Sequence, residues 1–291
     1  MAKNFASSGD YFQAEIALRR GLAELPGHPV LSYALSIVLL RNGPSHDGWL
    51  HYEKRWSVPF GPSKPSLSFP QWKGENVGSL IVLPEQGLGD QIMFSRYLPE
   101  LEKRNIQATV VTPPPLSRLF EEIGAETQTI DGEVGLQRKD AWCFIGSLPY
   151  LTGKFPAAPY IRGSSAGEGV GLMLEGGPRF PGRSLPKISQ GELEHLGISL
   201  HPNSTGARDF ADTAEIIRGL RLVISVDTAV AHLAGAMGKP TWTLLPHNAD
   251  WRWGRDDSLT QWYPSMRLFR QQSDGDWGAP IDQLKTALRG E

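Results

Sequence analysis

Cysteine is almost missing from this chain of 291 residues: Cys143 stands alone, so no internal disulfide can form. It lies between Trp142 and Phe144 in an apolar run, the setting of a buried and unreactive thiol. No apolar run is long enough to cross a bilayer; the longest, residues 30–40, is interrupted by Ser32 and Ser36. The first residues, Met1 to Phe5, lack the apolar core of a signal peptide. Neither sign of charge is in excess, with 29 Lys and Arg against 31 Asp and Glu. No basic stripe is visible, which argues against a nucleic-acid partner. A cytoplasmic protein without a transmembrane segment is the expectation.

A further absence concerns cofactors. Gln86-Gly87-Leu88-Gly89-Asp90 follows an apolar run and invites the dinucleotide fingerprint, but the third glycine should fall at position 92, which is Ile92. The next strand should end on a ribose-binding acid and ends instead at Thr112-Pro113. A nicotinamide or flavin enzyme is disfavoured, and no cofactor is expected. Asp274-Gly275-Asp276 superficially matches paired metal-binding carboxylates but reads better as a polar turn, so no metal is expected either.

Glycine (32) and proline (23) are abundant, as in a chain of many short connections. The most informative stretch is residues 222–234. Leu222 to Val226 is continuously apolar, as a strand buried on both faces of a parallel sheet should be. It stops at Asp227-Thr228. Small residues then carry a helix (Ala229, Ala231, Ala234, Ala236), Gly238 and Pro240 close it, and Thr241 to Leu245 reads as the next strand. Open α/β sheets bind ligands at such strand ends, and the free N–H groups of a helix start favour phosphate. The simpler reading is that Asp227 caps the helix. A cap alone does not call for His232 one turn on, so phosphate binding is preferred.

Taken in order, residues 1–58 read as helices, 59–77 as a proline-broken linker anchored by Phe69 and Trp72, and 78–166 and 167–291 as two units of alternating strands and helices. Such alternation predicts parallel, doubly wound sheets. In the first unit the helix is expected from about Gln91, after a glycine loop. Leu18, Leu22, Leu25, Tyr33, Ile37 and Leu40 form apolar stripes that predict the helices pack on the first unit. The pattern Gly9-Asp10-Tyr11, alanine, Gly21-Leu22 and Leu25-Pro26 is similar to part of a tetratricopeptide repeat. A capping role is favoured for this segment over a protein-docking one.

Gln86-Gly87-Leu88-Gly89-Asp90 resembles the N-terminal loop of heptosyltransferase-like (family 9) enzymes. Asp227-Thr228-Ala229-Val230-Ala231-His232-Leu233-Ala234 resembles their donor-phosphate motif, with Ala229 in place of a glycine. Asp209 to Ala214, Asp250-Trp251-Arg252-Trp253 and Trp262-Tyr263-Pro264 look like segments of bacterial proteins that join tetratricopeptide repeats to such a domain. The resemblance implies an α/β fold of GT-B type, two Rossmann-like halves with a short all-α segment in front. It implies an inverting, metal-independent glycosyltransferase with a nucleoside-diphosphate sugar as donor and a glycan, lipid-linked or protein acceptor. The expected donor-phosphate site comprises Asp227, Thr228, Ala229, Val230 and His232, with Arg179 and Arg183 from the facing turn. The acceptor loop is Gln86, Gly87, Leu88 and Gly89, with Asp90 as general base. Two other classes stay open: a non-catalytic scaffold that docks partners through the helices, and a non-hydrolysing epimerase of nucleotide sugars.

Overall fold

The computed structural model describes residues 10–290 apart from 60, 62–63, 133–134, 165–166, 178–180 and 256–257. Three helices come first: α1 (Tyr11–Glu24), α2 (Pro29–Leu40) and α3 (His46–Tyr52). Asp10, His28 and Ser45 each accept a backbone N–H at the start of one of them.

The first sheet contains β1 (Ser79–Leu83), β2 (Gln107–Thr112), β3 (Glu126–Thr129) and β4 (Ala141–Phe144), all parallel in the order β3-β2-β1-β4. The second contains β5 (Val170–Met173), β6 (Ile198–Ser199), β7 (Leu222–Val226), β8 (Thr241–Leu245) and β9 (Met266–Arg270), all parallel in the order β6-β5-β7-β8-β9. The chain therefore has an α/β fold with two parallel sheets. Three helices stand where the two sheet units meet: α4 (Leu88–Phe94) after β1, α5 (Phe210–Arg218) before β7 and α6 (Ala229–Ala236) after β7. Among the described residues no helix is long and apolar enough to cross a membrane.

Three expectations need correction. First, α4 begins at Leu88, three residues earlier than the sequence predicts. Gly87 is its extended N-cap, so Leu88, Gly89 and Asp90 form the first helical turn instead of a loop. Second, the helical segment packs on both sheet units, not one. Trp49 meets Phe94 of α4 and also Trp251 and Trp262, with ring centroids 5.8–6.0 Å apart. Arg41 donates to the carbonyls of Gly254 and Ala249 at 3.0 and 2.9 Å. Leu25, placed on the apolar stripe, is instead exposed, because the chain turns away at Pro26-Gly27. Third, the proline-broken linker is not wholly irregular. Gln71 forms a parallel bridge to Trp142, with Trp72 N–H donating to the Trp142 carbonyl at 2.7 Å. Phe69 and Trp72 are buried as anchors, and Cys143 is buried in β4.

The two units touch where α4 lies on α6. A methyl added at Gly89 would meet His232 Cδ2 at 2.7 Å and the Ala229 Cα at 3.2 Å. Only glycine allows this approach. Lower down, the buried Arg96 reaches the carbonyls of Met93, Pro156 and Trp262. At the rim, Arg118 pairs with Asp209 and Asp212 at the start of α5.

Candidate active site at the start of α6

β7 is buried along its whole length and delivers Asp227 and Thr228 to the carboxyl edge of the second sheet. Thr228 is the N-cap of α6, extended at φ −141° and ψ 169°, and no side chain caps the helix. Its hydroxyl lies 3.0 Å from the Ser225 hydroxyl instead. Asp227 does not cap the helix either, which removes the simpler reading of that residue. An α-helix leaves its first N–H groups without intrahelical partners, and their partial positive charge attracts anions. Thr228 and Ala229 are half-buried, so a ligand can reach this end.

Around this turn, carboxylates and guanidiniums alternate. Arg183 Nε is 3.1 Å from Asp227 Oδ2, and its Nη2 is 3.8 Å from Asp250 Oδ2. Asp250 Oδ1 accepts from Arg252 Nη1 at 2.6 Å. Arg252 Nη2 in turn pairs with Asp90 Oδ1 and donates to Gln86 Oε1 at 2.9 Å. The other oxygen of Asp90 accepts the Gly87 N–H at 2.9 Å. The row Asp227–Arg183–Asp250–Arg252–Asp90 thus links the expected phosphate turn to the expected base across the contact between the two units.

Burial sets the protonation of this row. It pushes Asp227 up to about 6, against the attraction of Arg183. Asp90 is likewise raised by burial, with Arg252 and the Gly87 N–H opposing. Burial would raise Asp250 too, but Arg252 and its backbone N–H overcome it and hold the carboxyl below its ordinary value. His232 is fully enclosed and depressed to about 3, chiefly by burial and then by Arg252. It is therefore a neutral imidazole. Nδ1 lies 2.8 Å from the Tyr263 hydroxyl, and the ring stacks on Trp253 at 4.9 Å. His232 can orient or donate a hydrogen bond, but it supplies no cationic charge.

The expected site residues are thus brought together in large part. Asp227, Thr228, Ala229 and Val230 share one turn, His232 follows inside α6 against Tyr263 and Trp253, and Gly89 of the acceptor loop abuts Ala229 and His232. Arg183 comes to the same place, but as a partner of Asp227 and Asp250. Arg179 lies outside the described residues. Asp250 and Arg252 were given no role from sequence, although the placement of Arg252 between Trp251 and Trp253, with Asp250 just before, is a signal of burial. Tyr263 and Tyr52 were also missed. Beside the turn, a cavity of about 340 Å³ lies at the carboxyl ends of β5 and β6, lined by Met173, Glu175, Lys187, Gln190, Ser199 and His201 among others. Met173 is in register with Ser225, so Glu175 sits one strand over from Asp227. Among the described residues no group of three or more His, Cys, Asp or Glu is placed to hold a metal ion.

Comparison with known proteins finds a partial likeness. The family model for glycosyltransferase family 9 (heptosyltransferase) matches residues 193–260. That stretch carries β7, the Asp227 turn, α6 and the Asp250–Trp253 turn, and leaves Asp90 outside. The match supports a glycosyltransferase. Protein FlbA of Caulobacter vibrioides is 26% identical over 338 residues, covering 91% of this chain and 56% of FlbA. The chain thus spans little more than half the length of that relative. The aligned stretch also exceeds the chain itself, so FlbA carries insertions relative to it. Among solved structures, E. coli heptosyltransferase WaaC with ADP is 10% identical with a TM-score of 0.45, over 73% of this chain and 99% of that one. The iron-containing dodecameric glycosyltransferase TibC from enterotoxigenic E. coli is 13% identical with a TM-score of 0.48, over 72% and 66%.

Proposed function

We propose that the chain is an inverting, metal-independent glycosyltransferase that moves a sugar from a nucleoside-diphosphate sugar to a hydroxyl acceptor. The observation that carries this reading is the uncapped start of α6, inside the stretch that matches glycosyltransferase family 9, with Arg183 brought to Asp227 from outside that stretch. Transfer breaks the bond between the anomeric carbon and the phosphate oxygen while the acceptor oxygen bonds the same carbon from the opposite face. Negative charge grows on the leaving diphosphate. The N–H groups of Thr228 to Val230 and the Arg183 guanidinium stabilise it where it develops. The acceptor proton passes to Asp90, whose carboxylate stands across the contact on α4. Burial makes that carboxylate more basic than an exposed aspartate, which suits a general base.

The cavity of about 340 Å³ is assigned to the nucleoside, with Glu175 and Lys187 at its edge. In this reading residues 78–166 form the acceptor half, 167–291 the donor half, 59–77 the linker, and 1–58 a tetratricopeptide-like segment. The acceptor is a glycan, a lipid-linked sugar or a protein.

One observation favours a second reading. Gly89 lies directly on His232, so the halves are in contact at the turn itself. A scaffold that keeps the fold without catalysis would tolerate that closure. Nucleotide binding separates the two. A ligand present at 100 times its Kd stabilises the fold by about 2.7 kcal/mol. A thermal-shift panel of nucleoside diphosphates and their sugars should therefore contain at least one compound that raises the Tm. A flat panel would leave the scaffold reading standing, and conversion of a sugar nucleotide into its epimer would identify the third class.

A further inference from the structure

We propose that the helical segment is part of the site: Tyr52 and Gln86 are positioning residues that hold Arg252 against Asp90. The inference rests on Asp90 being the base and goes beyond it, because it assigns a role to a segment outside the matched family stretch.

Gln86 is one of two non-glycine residues with positive φ among those described, at +60°. Side chains rarely adopt that conformation unless neighbours impose it. Here both ends of its amide are engaged. Nε2 donates to the Tyr52 hydroxyl at 2.5 Å and lies 3.4 Å from Glu85 Oε2. Oε1 accepts from Arg252 Nη2, the same nitrogen that pairs with Asp90. The amide therefore faces its carbonyl to a cation and its NH₂ to oxygens, the only orientation that satisfies both sides.

The support behind Gln86 also comes from the helical segment. Arg55, buried at 4% exposure, grips Glu85 through two bonds of 2.9 and 2.7 Å. It also donates to Glu53 at 2.6 Å and to Ser147 at 2.9 Å. A planar guanidinium bound at both carboxylate oxygens fixes the end of β1 in direction as well as distance. Arg252 itself lies over the Trp251 ring at 4.3 Å. The groups around Asp90 are Arg252 and Asp250 from the turn after β8, Glu85 before the glycines, neutral His232 on α6, and Tyr52 through Gln86. Removing the Tyr52 hydroxyl frees the Gln86 amide, which then no longer fixes Arg252. Asp90 loses part of its cationic partner and holds its proton to higher pH.

The test uses the full chain labelled with carboxyl-¹³C aspartate, the Asp90 resonance being assigned with Asp90→Asn. In NMR titrations, Tyr52→Phe and Gln86→Ala should each raise the Asp90 midpoint, while Leu50→Ala, an exposed change on the same helix, should not. The double variant should match Gln86→Ala alone, since both act through one amide. An unmoved midpoint in both single variants, or shifts that add in the double variant, would overturn the relay. This readout needs no substrate, so a silent nucleotide panel would remove the base assignment while the relay is judged separately. With a donor in hand, Tyr52→Phe should cut kcat by about tenfold to a hundredfold. The acidic limb of the pH profile should move to higher pH with the donor KM unchanged. An unaltered kcat would count against the positioning role.

Discussion

Replacing Asp227 by asparagine should make the protein more stable at neutral pH. The carboxyl is buried and its proton is held up to about 6, against an ordinary 3.8. A folded-state value above the unfolded one means that the native state binds the proton more tightly. Stability from this group is complete below about pH 4 and is lost as pH rises through 6. The difference of about two pKa units corresponds to about 3 kcal/mol, at about 1.4 kcal/mol per unit. Asparagine mimics the protonated form in size and polarity. Urea melts of the two proteins should therefore coincide near pH 4 and diverge upward, with Asp227→Asn more stable by about 1–3 kcal/mol at pH 7.5. A carboxylate kept at such a cost is consistent with the proposed donor site. If the variant is instead less stable at pH 7.5, with a gap that does not change with pH, Asp227 is a structural partner of Arg183 and the linkage reasoning fails.

Asp90→Asn keeps an oxygen for the Gly87 N–H but cannot take a proton, so turnover should drop by about 10²–10⁴-fold with donor affinity nearly unchanged; wild-type turnover in the variant would place the base elsewhere. Gly89→Ala should cost about 1–3 kcal/mol, because the added methyl meets the Ala229 backbone as well as the His232 ring. A stabilised variant, as helix propensity alone would give, would show that α4 and α6 do not lie in contact. Deleting residues 1–58 strips Arg55 from the buried Glu85 and uncovers Trp251 and Trp262. Loss of at least about 3–5 kcal/mol, or insoluble protein, is expected, and a soluble truncation of equal stability would refute the shared core.

The strands were the most legible part of the chain. Leu222–Val226 and Thr241–Leu245 are short apolar runs, and both fall at their expected limits. Such runs announce themselves because both faces are buried. The start of α4 was less legible because glycine carries two opposite meanings. Gly87 serves as an extended cap, whereas Gly89 is inside the helix for the sake of a close approach to His232, and sequence alone reads both as loop. The row of charges was hidden for a different reason. Arg183, Arg252 and Asp90 are far apart in sequence, and an ion pair between distant residues has no local signature. Burial of Arg55 against Glu85 obeys the same rule. His232 was readable as a site residue, but its charge was not, since the enclosure by Trp253 and Tyr263 appears only in the fold.

The most direct measurement is calorimetric titration of nucleoside diphosphates into the wild-type chain and into Arg183→Ala. Donor binding at the Asp227 turn predicts heat of binding for at least one base in the wild type. Loss of the guanidinium should weaken that binding by about tenfold or more, as expected for a charge-assisted phosphate contact. Silence across the panel, or binding that is indifferent to Arg183, would contradict a donor diphosphate at the start of α6.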